Sequence, residues 1–360
     1  MTSLDEYRAL VNTKISATLR PPDWLIPSAK DFFADFVQPA VALLTLGKRT
    51  RAAFLAAGWQ LFATPKEASS PTHLQLPITA GAALELYQAS ALIHDDIIDA
   101  ADSRRGLPAA HLAFAALHQS HDLDGSEKKF GTNSAILLGD YLLSLAAHTF
   151  ESAEAANLAA LQRARELYHS MTAEVAFGQY LDNQAEFMPF TTDFTAQIEH
   201  SFQVLYHKSA RYSVDCPLKI GAALAGASTA QIAQLSRIGK PLGEAFQLRD
   251  DYLGVFGSAA HTGKPAGGDL CEGKRTVLIG MTRKLLSKSD REFLDAHLGF
   301  PLSDSEISKI QQLIANSGAL QAHEALIYER EAQAAQAVAE LHTTSPILHE
   351  LLTLLTNRKA

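Results

Sequence analysis

The chain reads as an all-α protein, one helical bundle of more than ten helices, and three observations lead there. Alanine is abundant, and the period-two alternation of β-branched residues that marks strands is scarce. Apolar residues recur three and four apart, as in Leu137, Leu138, Tyr141, Leu142 and Leu145, or Ile232, Leu235, Ile238 and Leu242, which is the spacing of one helix face. The 14 prolines and 21 glycines fall mostly between such runs. Length alone admits two domains, but no linker divides the 360 residues. A single domain of this size can bury about three quarters of its unfolded surface.

Taken in order, residues 1–25 form an amphipathic extension ending at Pro21-Pro22. It is charged and lacks an apolar core segment, so it is not expected to be a signal peptide. Gly47-Lys48-Arg49-Thr50-Arg51 follows an apolar helix, with Gly47 as its stop. The next helix carries Leu92-Ile93-His94-Asp95-Asp96-Ile97-Ile98-Asp99. Asp95 and Asp99, four apart, share a face, and Asp96 stands about 100° round from Asp95. Like charges in an apolar run require cations. An all-oxygen donor set suits Mg²⁺, which takes one or two carboxylates and completes its shell with water and phosphate. A solvated acidic turn is the alternative. His94 reads as support to the aspartates rather than as a ligand. Arg104-Arg105-Gly106 comes next, then a polar loop over 119–131.

A second Asp pair lies in Gln247-Leu248-Arg249-Asp250-Asp251-Tyr252-Leu253-Gly254. Helical spacing puts Gly243, Gln247, Asp250 and Gly254 on one small, polar face, as a cavity wall requires. Facing helices of a bundle can hold metals between such clusters. Residues 258–273 form a loop of turn residues, Gly263-Lys264-Pro265-Ala266-Gly267-Gly268-Asp269 among them. It lacks the ending of a P-loop and reads as a mobile lid that touches phosphate. Gly273-Lys274-Arg275-Thr276 closes it, and the chain is helical again from 303 onward. Each basic group alone is ordinarily a surface feature. Four of them, two abutting the acidic motifs, suit a diphosphate, since Arg offers a bidentate fork and Lys a point charge.

A net charge of −8 argues against a nucleic-acid surface. No run of 18 apolar residues suggests a membrane span. Two cysteines, Cys216 and Cys271, make no disulfide framework, and a reducing cytoplasm is expected.

Together the motifs resemble the trans-isoprenyl diphosphate synthase (polyprenyl synthetase) family, in the family's order, from about residue 30 to 290. The resemblance implies the isoprenoid synthase fold, a bundle around a deep central cavity. It implies head-to-tail condensation of an allylic diphosphate with isopentenyl diphosphate, with Mg²⁺, three per active site, and a homodimer. By matching position Asp95, Asp99 and Asp250 would be metal ligands, with Asp96 and Asp251 in support. Arg104, Lys208, Lys264 and Lys274 would grip the allylic diphosphate. Lys48, Arg51, Gln88 and Arg105 would hold isopentenyl diphosphate. Lys208, Ser209 and Gln247 would face the allylic cation.

Three positions depart from the family. Gly254 stands where many relatives carry Asp, so one ligand is missing or comes from elsewhere, Asp269 being the candidate. Gln88 stands for a common His, and Ser209 for a common Thr. Small Ser90 and Ala91 precede Asp95, where an aromatic typically stops the product at fifteen carbons. Tyr87 lies one turn deeper than Ala91, about 5.4 Å, roughly an isoprene unit. The expected product is therefore geranylgeranyl diphosphate, with twenty carbons; Tyr87 as a plain core aromatic is the alternative. Farnesyl or longer polyprenyl synthesis, a class I terpene cyclase and a non-catalytic synthase subunit are the competing functions.

Overall fold

The structure is a computed structural model that describes residues 3–257 and 267–356. Its helices are α1 (Leu4–Thr18), α2 (Lys30–Thr45), α3 (Thr50–Phe62), α4 (Pro65–Ser69), α5 (Pro71–Ile98), α6 (Ala110–Ser120), α7 (Glu127–Glu151), α8 (Leu158–Phe187) and α9 (Phe194–Val204). A π-helix, Leu205–Asp215, leads into α10 (Cys216–Leu224), α11 (Thr229–Gln234), α12 (Ser236–Phe256), α13 (Gly268–Glu272), α14 (Val277–Leu285), α15 (Lys288–His297), α16 (Asp304–Asn316), α17 (Ala319–Ala339) and α18 (Pro346–Thr356). The only strands among the described residues are β1 (Ser103–Arg104) and β2 (Leu107–Pro108), an antiparallel ribbon. The all-α expectation is met.

Contacts gather the chain into two compact units. The first comprises Met1–Arg165, Ile220–Ala227 and Ser345–Leu348 and is built on α5. Every residue of α5 from Pro77 to Tyr87 is buried, the mark of a helix enclosed on all sides. Helices α1, α2, α3 and α7 pack on it. The stretch read as an N-terminal extension thus supplies a core helix. Ser3 caps α1 by accepting from the Glu6 N–H, and Leu4, Tyr7, Val11 and Ile15 are buried at helical spacing. The Tyr7 hydroxyl donates to the Pro77 carbonyl at 2.8 Å. It can do so because Gly81 has no side chain, whose Cβ would overlap the Tyr7 oxygen. The polar loop expected over 119–131 is shorter: α6 runs to Ser120, and Ser126 caps α7 by accepting from the Lys129 N–H. The charged residues Glu127 to Lys129 lie on a solvated first helical turn.

The second unit comprises Glu166–Lys219, Ser228–Thr344 and His349–Ala360. Here α12 packs against the π-helix, α13, α14 and α17. Two glycines let the backbones approach. A Cβ on Gly243 would overlap the Ala210 carbonyl oxygen, and one on Gly178 the Lys208 backbone nitrogen. Gly243 is therefore a packing contact with the π-helix and not part of a cavity wall. The expected small face of α12 arises from close packing at this position. Burial pushes the Cys216 thiol up to about 12, against the nearby Arg211 guanidinium, and both cysteines are free thiols.

On α17, His323 is fully buried with neither ring nitrogen hydrogen-bonded. Burial, and then the Arg249 charge, push it down to about 4. The folded protein thus resists a proton that the unfolded chain accepts near pH 6.5. Its stability should fall as pH drops from about 6.5 toward 4, by roughly 3 kcal/mol at the full extent of the shift. His323→Leu should flatten that part of the stability–pH curve in urea titrations; an unchanged slope would show that other groups carry it.

Candidate active site

The acidic motif of the first unit sits at the C-terminal end of α5. Asp95 and Asp96 lie in its last turns, and Asp99 is the C-cap, its N–H bonded to the Asp95 carbonyl at 2.8 Å. Asp96 is buried and Asp95 half-buried. The ribbon that follows turns at Arg105 and Gly106, both at positive φ (56° and 75°), which suits a tight hairpin. It returns the Arg104 guanidinium onto the acids: Nε donates to Asp96 Oδ1 at 2.7 Å and Nη2 reaches Asp95 Oδ2 at 3.2 Å. The next side chain, Arg105, donates to the Leu43 carbonyl at 2.9 Å, and burial lowers its pKa. His94 faces α7, its Nε2 lying 3.2 Å from the Ile136 carbonyl oxygen over Gly139.

Arg51, in the first turn of α3, donates to Gln88 Oε1 on α5. Lys48 is exposed in the loop before α3. Sequence reasoning missed two of their neighbours. Arg49 is buried in left-handed conformation, and Glu85 of α5 accepts from the Ala52 N–H at 3.1 Å. That bond satisfies an otherwise orphan donor at the N-terminus of α3. A charged residue inside the apolar stretch of α5, one turn before Gln88 and Ala89, was the available signal. Tyr87 and Ser90 are buried and Ala91 is half-buried. The Ser90 hydroxyl donates to the Gly139 carbonyl at 2.7 Å, so this side chain faces α7.

In the second unit Lys208 lies in the π-helix, a form found often at functional sites. Its Nζ donates to Asp182 Oδ2 at 2.6 Å. Lys274 reaches the same oxygen at 3.2 Å and Glu186 Oε1 at 3.1 Å. Asp182 and Glu186 were not singled out from the sequence, although their spacing of four on α8 sets them on one face. Burial raises the Glu186 pKa, and Lys274 opposes the rise. Ser209 is half-buried beside Lys208. Arg275 turns away and stacks 3.5 Å over the Phe190 ring; burial pushes it down to about 10.

On α12, Gln247 donates to Asp251 Oδ1 at 2.8 Å. Burial raises the Asp251 pKa well above the usual carboxylate range; the Gln247 bond opposes this, and Asp269, Asp250 and Asp182 add to it. Opposite Gly254 stands the Asp269 carboxylate, at the start of α13. A Cβ on Gly254 would overlap Asp269 Oδ2 and Cγ and lie 2.7 Å from Oδ1. Lys264 and residues 258–266 of the expected lid lie outside the described residues; the rest of that stretch includes α13, bracketed by Gly267 and Gly273 at positive φ.

Among the described residues no three His, Cys, Asp or Glu side chains converge to hold a metal by themselves. The acids still fit Mg²⁺: they are hard oxygen donors in small groups, the set this ion uses with phosphate oxygens completing its shell. No helix among the described residues is long and apolar enough to cross a membrane.

The polyprenyl synthetase family model matches residues 35–316. A short chain isoprenyl diphosphate synthase of Methanothermobacter thermautotrophicus is 33% identical over 219 residues, 61% of this chain and 60% of that protein. A geranylgeranyl diphosphate synthase of Methanosarcina mazei is 33% identical over 210 residues, 58% of this chain and 57% of that protein. The aligned part thus spans under two thirds of either curated relative. The crystal structure of geranylgeranyl pyrophosphate synthase from Corynebacterium glutamicum, complexed with isoprenyl diphosphate and magnesium, superimposes with a TM-score of 0.91 at 33% identity, covering 99% of this chain and 100% of that one.

Proposed function

The chain belongs to the polyprenyl synthetase family, and on that premise we propose that it is a trans-prenyltransferase joining an allylic diphosphate head to tail to isopentenyl diphosphate. The observation that carries this reading is a pairing of cations with carboxylates in each compact unit, at the first acidic motif in one and on α8 in the other. Arg104 sits on Asp95 and Asp96, and Lys208 and Lys274 sit on Asp182. Cations held by carboxylates are pre-positioned to meet a diphosphate that arrives with divalent ions.

When bound, Mg²⁺ would neutralise the departing diphosphate, and Asp95, Asp99 and Asp250 are the side chains we assign to hold it, three ions per site. Asp269 supplies the carboxylate that position 254 lacks. Arg104, Lys208, Lys264 and Lys274 grip the allylic diphosphate and stabilise the negative charge that grows as its C–O bond breaks. Lys48, Arg51, Gln88 and Arg105 hold isopentenyl diphosphate. The amide of Gln247, held by Asp251, and the Ser209 hydroxyl offer dipoles to the allylic cation. An apolar setting keeps water from that cation. The two diphosphate sites argue against a cyclase, which would need only one. The complete first motif argues against a non-catalytic subunit.

The whole chain acts as one domain in this reading, supported by a family match that takes in residues of both compact units. The homodimer is supported by exposed Ile136, Leu137 and Leu143 on α7, and a cytoplasmic setting by the two free cysteines.

Product length follows α5. Tyr87 is the proposed floor, with geranylgeranyl diphosphate as product. Because Ser90 is committed to α7, Ala91 is the better place to add bulk. Mass analysis of products made from isopentenyl diphosphate with five-, ten- and fifteen-carbon primers tests the activity. Ala91→Phe should shorten the product by at least one five-carbon unit, and Tyr87→Ala should lengthen it. Unchanged lengths in both variants would place the floor elsewhere, and consumption of the allylic substrate alone would mark a cyclase.

A further inference from the structure

Three guanidinium groups converge on the last turns of α2 and the short connection that follows it, the segment that carries Lys48. Arg105 donates to the Leu43 carbonyl at 2.9 Å, Arg49 to the Leu44 carbonyl, and Arg8 of α1 to the Lys48 carbonyl at 3.1 Å. Arg49 is central to the arrangement. Its backbone is left-handed (φ 56°), a conformation that a residue with a side chain adopts only when its surroundings hold it there. Its side chain folds back over Gly47, where a Cβ would overlap Nη1. Its Nε donates to Asn12 Oδ1 of α1 at 2.6 Å, and Glu85 Oε2 lies 3.8 Å from Nη1. The other Glu85 oxygen accepts from Ala52 N–H in the first turn of α3, beside Arg51.

We propose that α1 is a working part of the isopentenyl diphosphate site, with Asn12, Glu85 and Arg8 as positioning residues: Asn12 and Glu85 lock Arg49, Arg8 holds the Lys48 carbonyl, and together they present Lys48 and Arg51 in binding geometry. This rests on the assignment of Lys48 and Arg51 made above. A connection held at the Lys48 carbonyl and by the Arg49 side chain before the ligand arrives has less conformational freedom to lose on binding. Neither Asn12 nor Arg8 reaches the ligand by this account. Their effect passes through Arg49 and the Lys48 backbone, so it falls on one substrate and spares the other.

The test compares Asn12→Leu, which keeps the volume and removes the acceptor, with Asn12→Asp, which keeps an acceptor. KM is measured for each diphosphate separately, and isopentenyl diphosphate binding by calorimetry. Asn12→Leu should raise the isopentenyl diphosphate KM and Kd about tenfold and leave the allylic KM within about twofold, while Asn12→Asp stays near wild type. Arg8→Ala, at a half-exposed site, should shift the same constant in the same direction by less; it serves should Asn12→Leu not fold. Equal rises for both substrates, no change in either, or an Asn12→Asp variant that behaves like Asn12→Leu would overturn the positioning role while leaving the activity in place. Wild-type protein that binds no isopentenyl diphosphate would overturn both readings.

Discussion

Asp95→Asn should lower kcat by about three orders of magnitude and leave the fold intact. Asn keeps the shape of the side chain and one acceptor oxygen but loses the charge that a Mg²⁺ ligand supplies. Losing several kcal/mol of stabilisation of the departing diphosphate corresponds to such a factor, at 1.36 kcal/mol per decade. The fold should survive because Arg104 keeps its 2.7 Å bond to Asp96. Asp95 is also only half-buried at the end of α5, where a neutral side chain is tolerated. The melting temperature of the metal-free protein should shift by only a few degrees, and Mn²⁺ binding followed by electron paramagnetic resonance should weaken. Near-normal turnover with unchanged Mn²⁺ binding would remove the metal argument from the first motif.

The second large effect concerns the pair Gly254 and Asp269. Gly254→Asp looks like a return to the common family pattern, yet here it should damage the protein. The new Cβ would overlap the Asp269 carboxylate. Asp269 must then leave its place or α12 must shift, at a cost of about 1–3 kcal/mol for overpacking. A further carboxylate would also stand near the buried Asp251, whose charge Asp269 and Asp250 already disfavour. Asp269→Ala should be well folded, with weakened Mn²⁺ binding and activity lowered about 100-fold. The double variant Gly254→Asp with Asp269→Ala returns one carboxylate to the same space, and should recover both stability and Mn²⁺ affinity relative to the single variants. Additive losses in the double variant would show that Asp269 does not take the part of the missing aspartate.

The acidic motifs and the ribbon arginines were legible because their information is local. Asp95, Asp96 and Asp99 fall within one helix end, and Arg104 returns to them over eight and nine residues. Helix class was legible for the same reason, since apolar spacing and caps such as Ser3 and Ser126 operate within a few residues. The loop over 119–131 was overestimated because charge was weighed above the Ser126 cap. Spacing along α5 does not say which neighbour the Ser90 face meets; the structure bonds its hydroxyl to the Gly139 carbonyl of α7.

Sequence by itself determined the helical class, the family and the residue types that meet diphosphate and metal, because period, capping and charge pairing act over one or two helical turns. Tertiary structure alone decided that Asp182 neutralises Lys208 and Lys274, that Asp269 fills the space of a side chain at 254, and that α1 braces the Lys48 segment through Asn12 and Arg49. Asp182 lies 26 residues from Lys208 and 92 from Lys274, and Asn12 lies 37 from Arg49. Their meeting depends on how closely helices pack, which small residues such as Gly178 and Gly243 permit and no spacing along one helix encodes.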